Sequence, residues 1–198
     1  MNIHFFDALV GFFRASGYFR IYPFIKEVQE IRILVGIDVD KLTYQAYNKG
    51  LEFLPSTITT KEKFLETLKK DIQHAAYTKE VEEGMLHFIQ AVLNGKIQMR
   101  IHPSKQLHAK IYIFRQKEMH KHAGWGSVIT GSSNLTEAGL KSNFEFNVEL
   151  RDHDDVEFAT ATFEKLWEEG IPLAIADVNE VKKKSYLNEL ITYPDMYL

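Results

Sequence analysis

Cysteine is absent from the 198 residues, which excludes disulfides, thiolate zinc sites and thiol nucleophiles and fits a reducing compartment. No apolar run approaches the ~18 residues that a membrane-spanning helix needs. The opening Met-Asn-Ile-His-Phe-Phe-Asp carries an acid where a secretory leader has basic residues, and no small-residue cleavage site follows. A cytoplasmic protein with no membrane partner is therefore expected. Internal repeats and low-complexity segments are also lacking. A net charge of −3 supplies no global basic field of the kind that draws a protein to nucleic acid.

What is present points to one packed domain. Hydrophobic residues make up 45% of the chain and aromatics 13%, enough for a sizeable core. We expect a domain over residues 1–176 and a connector over 177–198, where Lys182-Lys183-Lys184 precedes a weakly amphipathic stretch. Charge is uneven: between Lys96 and His122 seven Lys or Arg residues stand against the single acid Glu118. Such a segment suits a polyanion, because phosphate contacts supply most non-specific affinity, and it also describes an ordinary solvated hairpin.

In chain order, Ala8-Leu9-Val10-Gly11-Phe12-Phe13 reads as a buried strand broken by Ala15-Ser16-Gly17. Apolar residues at 21, 24, 25 and 28 have helical spacing, and Ile31–Ile37 has the β-branched pattern of a central strand. Strand, helix, strand implies a right-handed crossover and a parallel pair. Thr59 and Glu62 form a capping-box signature before a helix carrying Phe64, Leu65, Leu68 and Ile72. A second helix from about Thr78 presents Val81, Met85, Phe88, Ile89 and Val92 and stops at Asn94-Gly95. His74 and His87 on these helices read as surface or core-edge residues. Ile97–Ile101 alternates as a strand, turns through His102-Pro103-Ser104-Lys105, and is expected to pair with Leu107–Phe114 or continue its sheet. Ser127–Thr130 enters another strand, and Asn143–Leu150 alternates strictly, with Phe144, Phe146, Val148 and Leu150 on one face. Asp154 or Asp155 can cap a last helix that carries Phe158, Ala161, Phe163, Leu166 and Trp167 and is ended by Gly170 and Pro172.

Four strand-borne polar residues carry chemistry when taken together. His108 and Lys110 are two apart, so both leave one face of a strand with roughly 6.6–7 Å between their Cα atoms. That sets an imidazole beside a fixed cation. Gly131-Ser132-Ser133-Asn134 follows a strand, with hydroxyls and an amide suited to oxygen ligands. Glu145 lies on the polar face of the next strand and can accept from an imidazole N–H, fixing its tautomer. Two runs, His120-Lys121-His122 and Asp152-His153-Asp154-Asp155, have metal-ligand residue types but sit in a polar loop and at a helix start.

The order His108-Ala109-Lys110, Gly131-Ser132-Ser133-Asn134 and then Glu145, eleven residues past Asn134, resembles the phospholipase D superfamily signature. One departure is Arg115, which stands where the motif carries an Asp that is mainly structural in the family. The runs Leu107–Phe114, Thr130–Leu140 and Asn143–Val148 look most like the phospholipase-D-like domain at the start of bacterial superfamily-two (Swi/Snf-type) helicases and of certain restriction endonucleases. No Gly-x-x-x-x-Gly-Lys-[Ser/Thr] occurs in the chain, so an ATPase would lie beyond Leu198.

The resemblance implies an α/β fold of the phospholipase-D-like nuclease type, a mixed sheet flanked by helices on both faces. It implies a cofactor-free, metal-independent phosphodiesterase acting on DNA. In that scheme His108 attacks phosphorus to give a phosphohistidine. Lys110, Asn134 and Ser132 stabilise the phosphoryl oxygens, with Ser133 and Lys105 as further substrate contacts, and Glu145 orients the histidine. The reaction needs a second histidine, and one His-x-Lys per chain means a two-fold homodimer. The other reading of the same residues is a non-catalytic module that holds DNA or a partner for a helicase.

Overall fold

The computed structural model describes residues 3–36, 79–103, 107–117 and 124–173. The expected capping box at Thr59, its helix with Phe64 to Ile72, His74, Lys105, the His120-Lys121-His122 run and the connector over 177–198 lie outside the described residues.

The centre of the molecule is a mixed seven-stranded sheet. In chain order its strands are β1 (Phe5–Val10), β2 (Glu30–Val35), β3 (Ile97–Ile101), β4 (Lys110–Arg115), β5 (Gly126–Gly131), β6 (Asn147–Leu150) and β7 (Ile171–Pro172). Their spatial order is β6-β5-β4-β1-β2-β3-β7. Helix α1 (Ala15–Ile25) joins β1 to its parallel neighbour β2, as the strand-helix-strand pattern predicts, with Phe5 opposite Glu30 and Val10 opposite Val35. Helix α2 (Lys79–Leu93) precedes β3, and α3 (His153–Glu169) follows β6.

Period-two alternation sorts the core into two layers. Phe6, Ala8, Val10, Ile31, Ile33 and Val35 face Tyr18 and Ile25 of α1 and Phe88, Ile89 and Val92 of α2. Leu9, Leu34 and Ile113 point the other way, onto Val156, Phe163 and Trp167 of α3. Phe6 is 1% exposed and Ile33 0%; truncating Phe6 to Ala would cost about 3–5 kcal/mol.

Several expectations need correction. The first strand ends at Val10, short of the expected Phe13, and residues 15–17 after it open α1. Gly17 is small because a Cβ there would lie 2.4 Å from the Leu135 carbonyl carbon, so close backbone approach, not turn formation, is its use. The strand starting near Leu107 does not pair with β3: β4 lies between β1 and β5, with Val10 opposite Lys110 and Ile111 opposite Thr130. β3 and β4 are thus separated by β1 and β2 and do not form a hairpin. Only residues 147–150 of the alternating 143–150 run pair as strand, and their apolar face is not covered: Phe144 and Phe146 are 109% and 77% exposed. Asp152 takes the N-cap position of helix α3 without a side-chain capping bond, and Asp154 and Asp155 fall in its first turn, where carboxylates suit the helix dipole. Its buried residues are Val156, Ala159, Phe163 and Trp167, whereas Phe158 is 75% exposed. Gly170 ends the helix, and the following residues form the short β7 against β3.

The basic segment does not form one stripe. Arg100 bonds the Trp167 carbonyl (2.7 Å), Lys96 the Lys26 carbonyl (2.5 Å), and Arg115 the Asp7 carboxylate (2.6 Å). Of the described Lys and Arg in that segment, Lys110 is the one beside the candidate catalytic residues.

Candidate active site

Strand ends bring the polar motif residues together. The C-terminal end of β1, the N-terminal start of β4, the C-terminal end of β5 and the start of β6 all lie at one end of the sheet, because β4 runs antiparallel to β1, β5 to β4, and β6 to β5. His108, Lys110, the 131–134 turn and Glu145 therefore share that end.

His108 is solvent-exposed and sits just before β4. The Lys110 ammonium donates to the His108 backbone carbonyl at 2.8 Å, which holds the cation against the chain at His108. Behind them the chain is seated on two glycines. A Cβ at Gly36 would lie 2.7 Å from the Leu107 carbonyl oxygen, and one at Gly11 would lie 3.2 Å from the same atom and 3.6 Å from the His108 Cα. Side chains at either position would push the histidine out of place.

Asn134 is fixed from the β1–α1 loop. Its Oδ1 accepts the Phe12 N–H at 3.0 Å, which assigns the amide orientation and leaves the Nδ2 donors for another partner. The same loop holds the backbone beyond: Arg14 N–H donates to the Leu135 carbonyl at 3.0 Å, and Phe13 bridges Leu135.

Glu145 is bonded by the Ser132 hydroxyl and by the Asn143 amide, the latter at 3.1 Å. The Ser132 hydroxyl, then the Asn143 amide, and the Lys110 cation hold its carboxyl below the ordinary carboxylate range, against the opposing pull of desolvation. Glu145 is therefore an anion at neutral pH. Among the described residues its hydrogen bonds come from Ser132 and Asn143 and not from His108. Ser132 also accepts the Phe146 N–H at 3.0 Å, locking the β5 turn to the start of β6.

Ser133 is turned inward and 4% exposed. Its hydroxyl accepts from the Asn147 amide at 2.8 Å and its carbonyl accepts from the Tyr112 hydroxyl at 2.8 Å. Burial, then the Glu145 charge, pushes the Tyr112 phenol up, so it remains a donor. Sequence reasoning missed Asn143, Asn147, Gly11 and Gly36. The first two had a signal: Asn143, Glu145 and Asn147 recur at period two on one face. The glycines had none, because their role depends on a chain segment some seventy to a hundred residues away.

The motif's missing acid has a counterpart in space. Asp7 of β1, 1% exposed, bonds Arg115 at 2.6 Å and Arg32 at 2.6 and 3.0 Å. Arg32 continues to Glu164 of α3 at 3.0 and 2.6 Å. A carboxylate thus still neutralises this position, delivered by β1 to an arginine on β4. The Asp152–Asp155 run forms the cap and first turn of α3, and among the described residues no three His, Asp or Glu side chains cluster as a metal site would. Also among the described residues, no helix is long and apolar enough to cross a membrane.

A mixed sheet between helices, ending in His-x-Lys, Gly-Ser-x-Asn and a downstream glutamate, defines a protein of the phospholipase D superfamily. The chain belongs to the family described as cardiolipin synthase, PLD-like domain, whose model matches residues 29–167. β1, which occupies the sheet centre, precedes that stretch. Two solved structures also align with the chain. Nuc, a phospholipase D family member from Salmonella typhimurium, is 14% identical over 85% of this chain and 81% of that one, with a TM-score of 0.46. NucT from Helicobacter pylori is 13% identical over 85% and 82%, with a TM-score of 0.45. No curated protein matches the chain significantly.

Proposed function

We propose that the chain is a metal-independent phosphodiesterase that cuts DNA through a phosphohistidine at a two-fold site. The observation that carries this reading is the gathering of His108, Lys110, Ser132, Asn134 and Glu145 at one end of the sheet. An imidazole nitrogen of His108 attacks phosphorus; the P–N bond forms as the P–O bond to the leaving oxygen breaks. Lys110 and the Asn134 amide donors face the non-bridging oxygens, where fixed donors stabilise growing charge. Glu145, held ionised, keeps the Ser132 turn and the Lys110 cation in register.

The leaving oxygen needs a proton, which the partner subunit's His108 donates before taking one from the water that cleaves the P–N bond. A face for that partner is available: Phe144 and Phe146, which flank Glu145, and Val148 and Leu150 of β6 are exposed, on the face that alternates with that of Glu145. An exposed apolar row beside the strand that ends the described sheet is costly unless covered. We further read the chain as the cutting module of a larger DNA-processing protein with a helicase downstream, for which a P-loop beyond Leu198 is the mark.

The test is incubation with single- and double-stranded DNA in chelator. Cleavage that survives chelation and disappears in His108→Ala supports the reading. Cleavage unchanged in the variant, or binding without cleavage by a dimer, overturns it, the latter in favour of a holding module.

A further inference from the structure

Beside the polar cluster lies an apolar cleft that the phosphodiester scheme leaves unused. Its volume is about 520 Å³, within the range of small-ligand sites. On the α1 side of the sheet, α1 and α2 pack over β1, β2 and β3, and the cleft is the strip of β4 and β5 beyond them. Phe6, Tyr112, Phe114 and Ile129 line it from the sheet, and Phe24 of α1 and Leu140 of the π-helical turn over Ala138–Ser142 line it from above. Phe24 is 86% exposed and Leu140 38%, so the opening itself is apolar. Asn143, Glu145 and Asn147 also line the cleft, which makes it continuous with the candidate phosphate site.

We propose that this cleft holds an unpaired nucleobase next to the scissile phosphate, so that the substrate is a single strand or an unpaired end. This deepens, and rests on, the reading of the site as a DNA phosphodiesterase. Lys110, Tyr112 and Phe114 alternate along one face of β4, so the Cα of Tyr112 in the cleft wall is one strand repeat, ~6.6–7 Å, from that of Lys110, the residue that receives the phosphate. That is within reach of the nucleotide bonded to it. Aromatic surface suits a base because every base has a π-face, and the stacking is tolerant of sequence. The amides favour a base over an acyl chain. Asn143 donates one N–H to Glu145, and Asn147 donates one to Ser133, which leaves amide groups that hydrogen-bond a base edge and that methylenes would strand. A base stacked within a duplex cannot enter, which sets the preference for unpaired strands.

The experiment measures equilibrium binding of fluorescent oligonucleotides to the intact chain: a single strand, a blunt hairpin duplex, and a wholly abasic strand of equal length and phosphate number. The single strand is expected to bind roughly tenfold tighter than either of the others, the size of one stacking contact. Phe24→Ala and Leu140→Ala, both at exposed positions that leave the core intact, are expected to remove that advantage and leave abasic binding unchanged. Equal affinity for base-bearing and abasic strands, or an advantage that survives both variants, overturns the cleft proposal alone. No binding to any of the three overturns the DNA reading with it. Displacement of the strand by phosphatidylglycerol vesicles in native protein, lost in Phe24→Ala, assigns the cleft to acyl chains and overturns it as well.

Discussion

Strands β1 and β4 carry two polar clusters, one closed and one open. Toward the Arg115 end, both oxygens of Asp7 are engaged, Oδ1 by Arg32 and Oδ2 by Arg32 and Arg115, and the Arg32 guanidinium also lies 4.9 Å over the Phe163 ring. At the other end His108 is exposed, Lys110 uses one of its donors on the His108 carbonyl, and among the described residues Asn134 spends its oxygen on the Phe12 N–H but not its amide hydrogens. The contrast separates structure from function. A buried charge must be saturated by its own fold, or the desolvation of the leftover charge unfolds it. A working group must be positioned but left with capacity for a ligand.

That comparison can be broken at either end. The largest effect belongs to the open cluster: His108→Ala should lower chelator-resistant cleavage by about 10³-fold or more while leaving the unfolding midpoint unchanged, since the side chain is exposed. A large loss of stability in that variant would mean that His108 is a structural residue. Next, Asp7→Asn should cost about 3–5 kcal/mol of stability in denaturant titration, by leaving two guanidiniums short of a carboxylate. Its cleavage rate per folded molecule should stay near native; a stability loss under 1 kcal/mol would show that the cluster is not the closed one described.

Two smaller effects sharpen the boundary between the clusters. Arg20 of α1 bonds Glu137, which lies beyond Asn134, at 3.1 Å, and both side chains are nearly half exposed. Arg20→Ala should therefore cost less than about 1 kcal/mol, and less still at high salt. The smallest concerns His87, whose Nδ1 lies 2.9 Å from the Tyr18 hydroxyl between α1 and α2. Burial, then the Lys96 charge, lowers its pKa from the ordinary 6.5. The unfolded chain therefore binds the proton more tightly, so His87 contributes fully above pH 6.5 and its contribution is lost as pH falls toward the folded pKa. A His87→Gln variant should show a flatter stability profile on that acid side; an unchanged slope would assign the dependence elsewhere.

Local pattern made much of this legible. The parallel β1–β2 pair, the helix ending at Asn94-Gly95, and the two faces of β4 all follow from periods of two and 3.6. On α3 Phe158 is exposed while Phe163 and Trp167 are buried, and spacing alone does not say which apolar residues of a helix are left out of the core. The basic segment misled for a similar reason. Its charges are adjacent in sequence, but β3 and β4 are separated by two strands, so Arg100 and Arg115 meet different partners.

By itself the sequence determined which residues are candidates for the chemistry: one His-x-Lys at the start of β4, one Gly-Ser-Ser-Asn at the end of β5 and one glutamate just before β6. The tertiary structure alone decided how those segments are held. It set β1 between β2 and β4, so that Asp7 meets an arginine where the motif has its acid and the Phe12 amide meets Asn134. Pairing between strands a hundred residues apart depends on which faces are buried across the whole sheet, and no window of sequence contains that information.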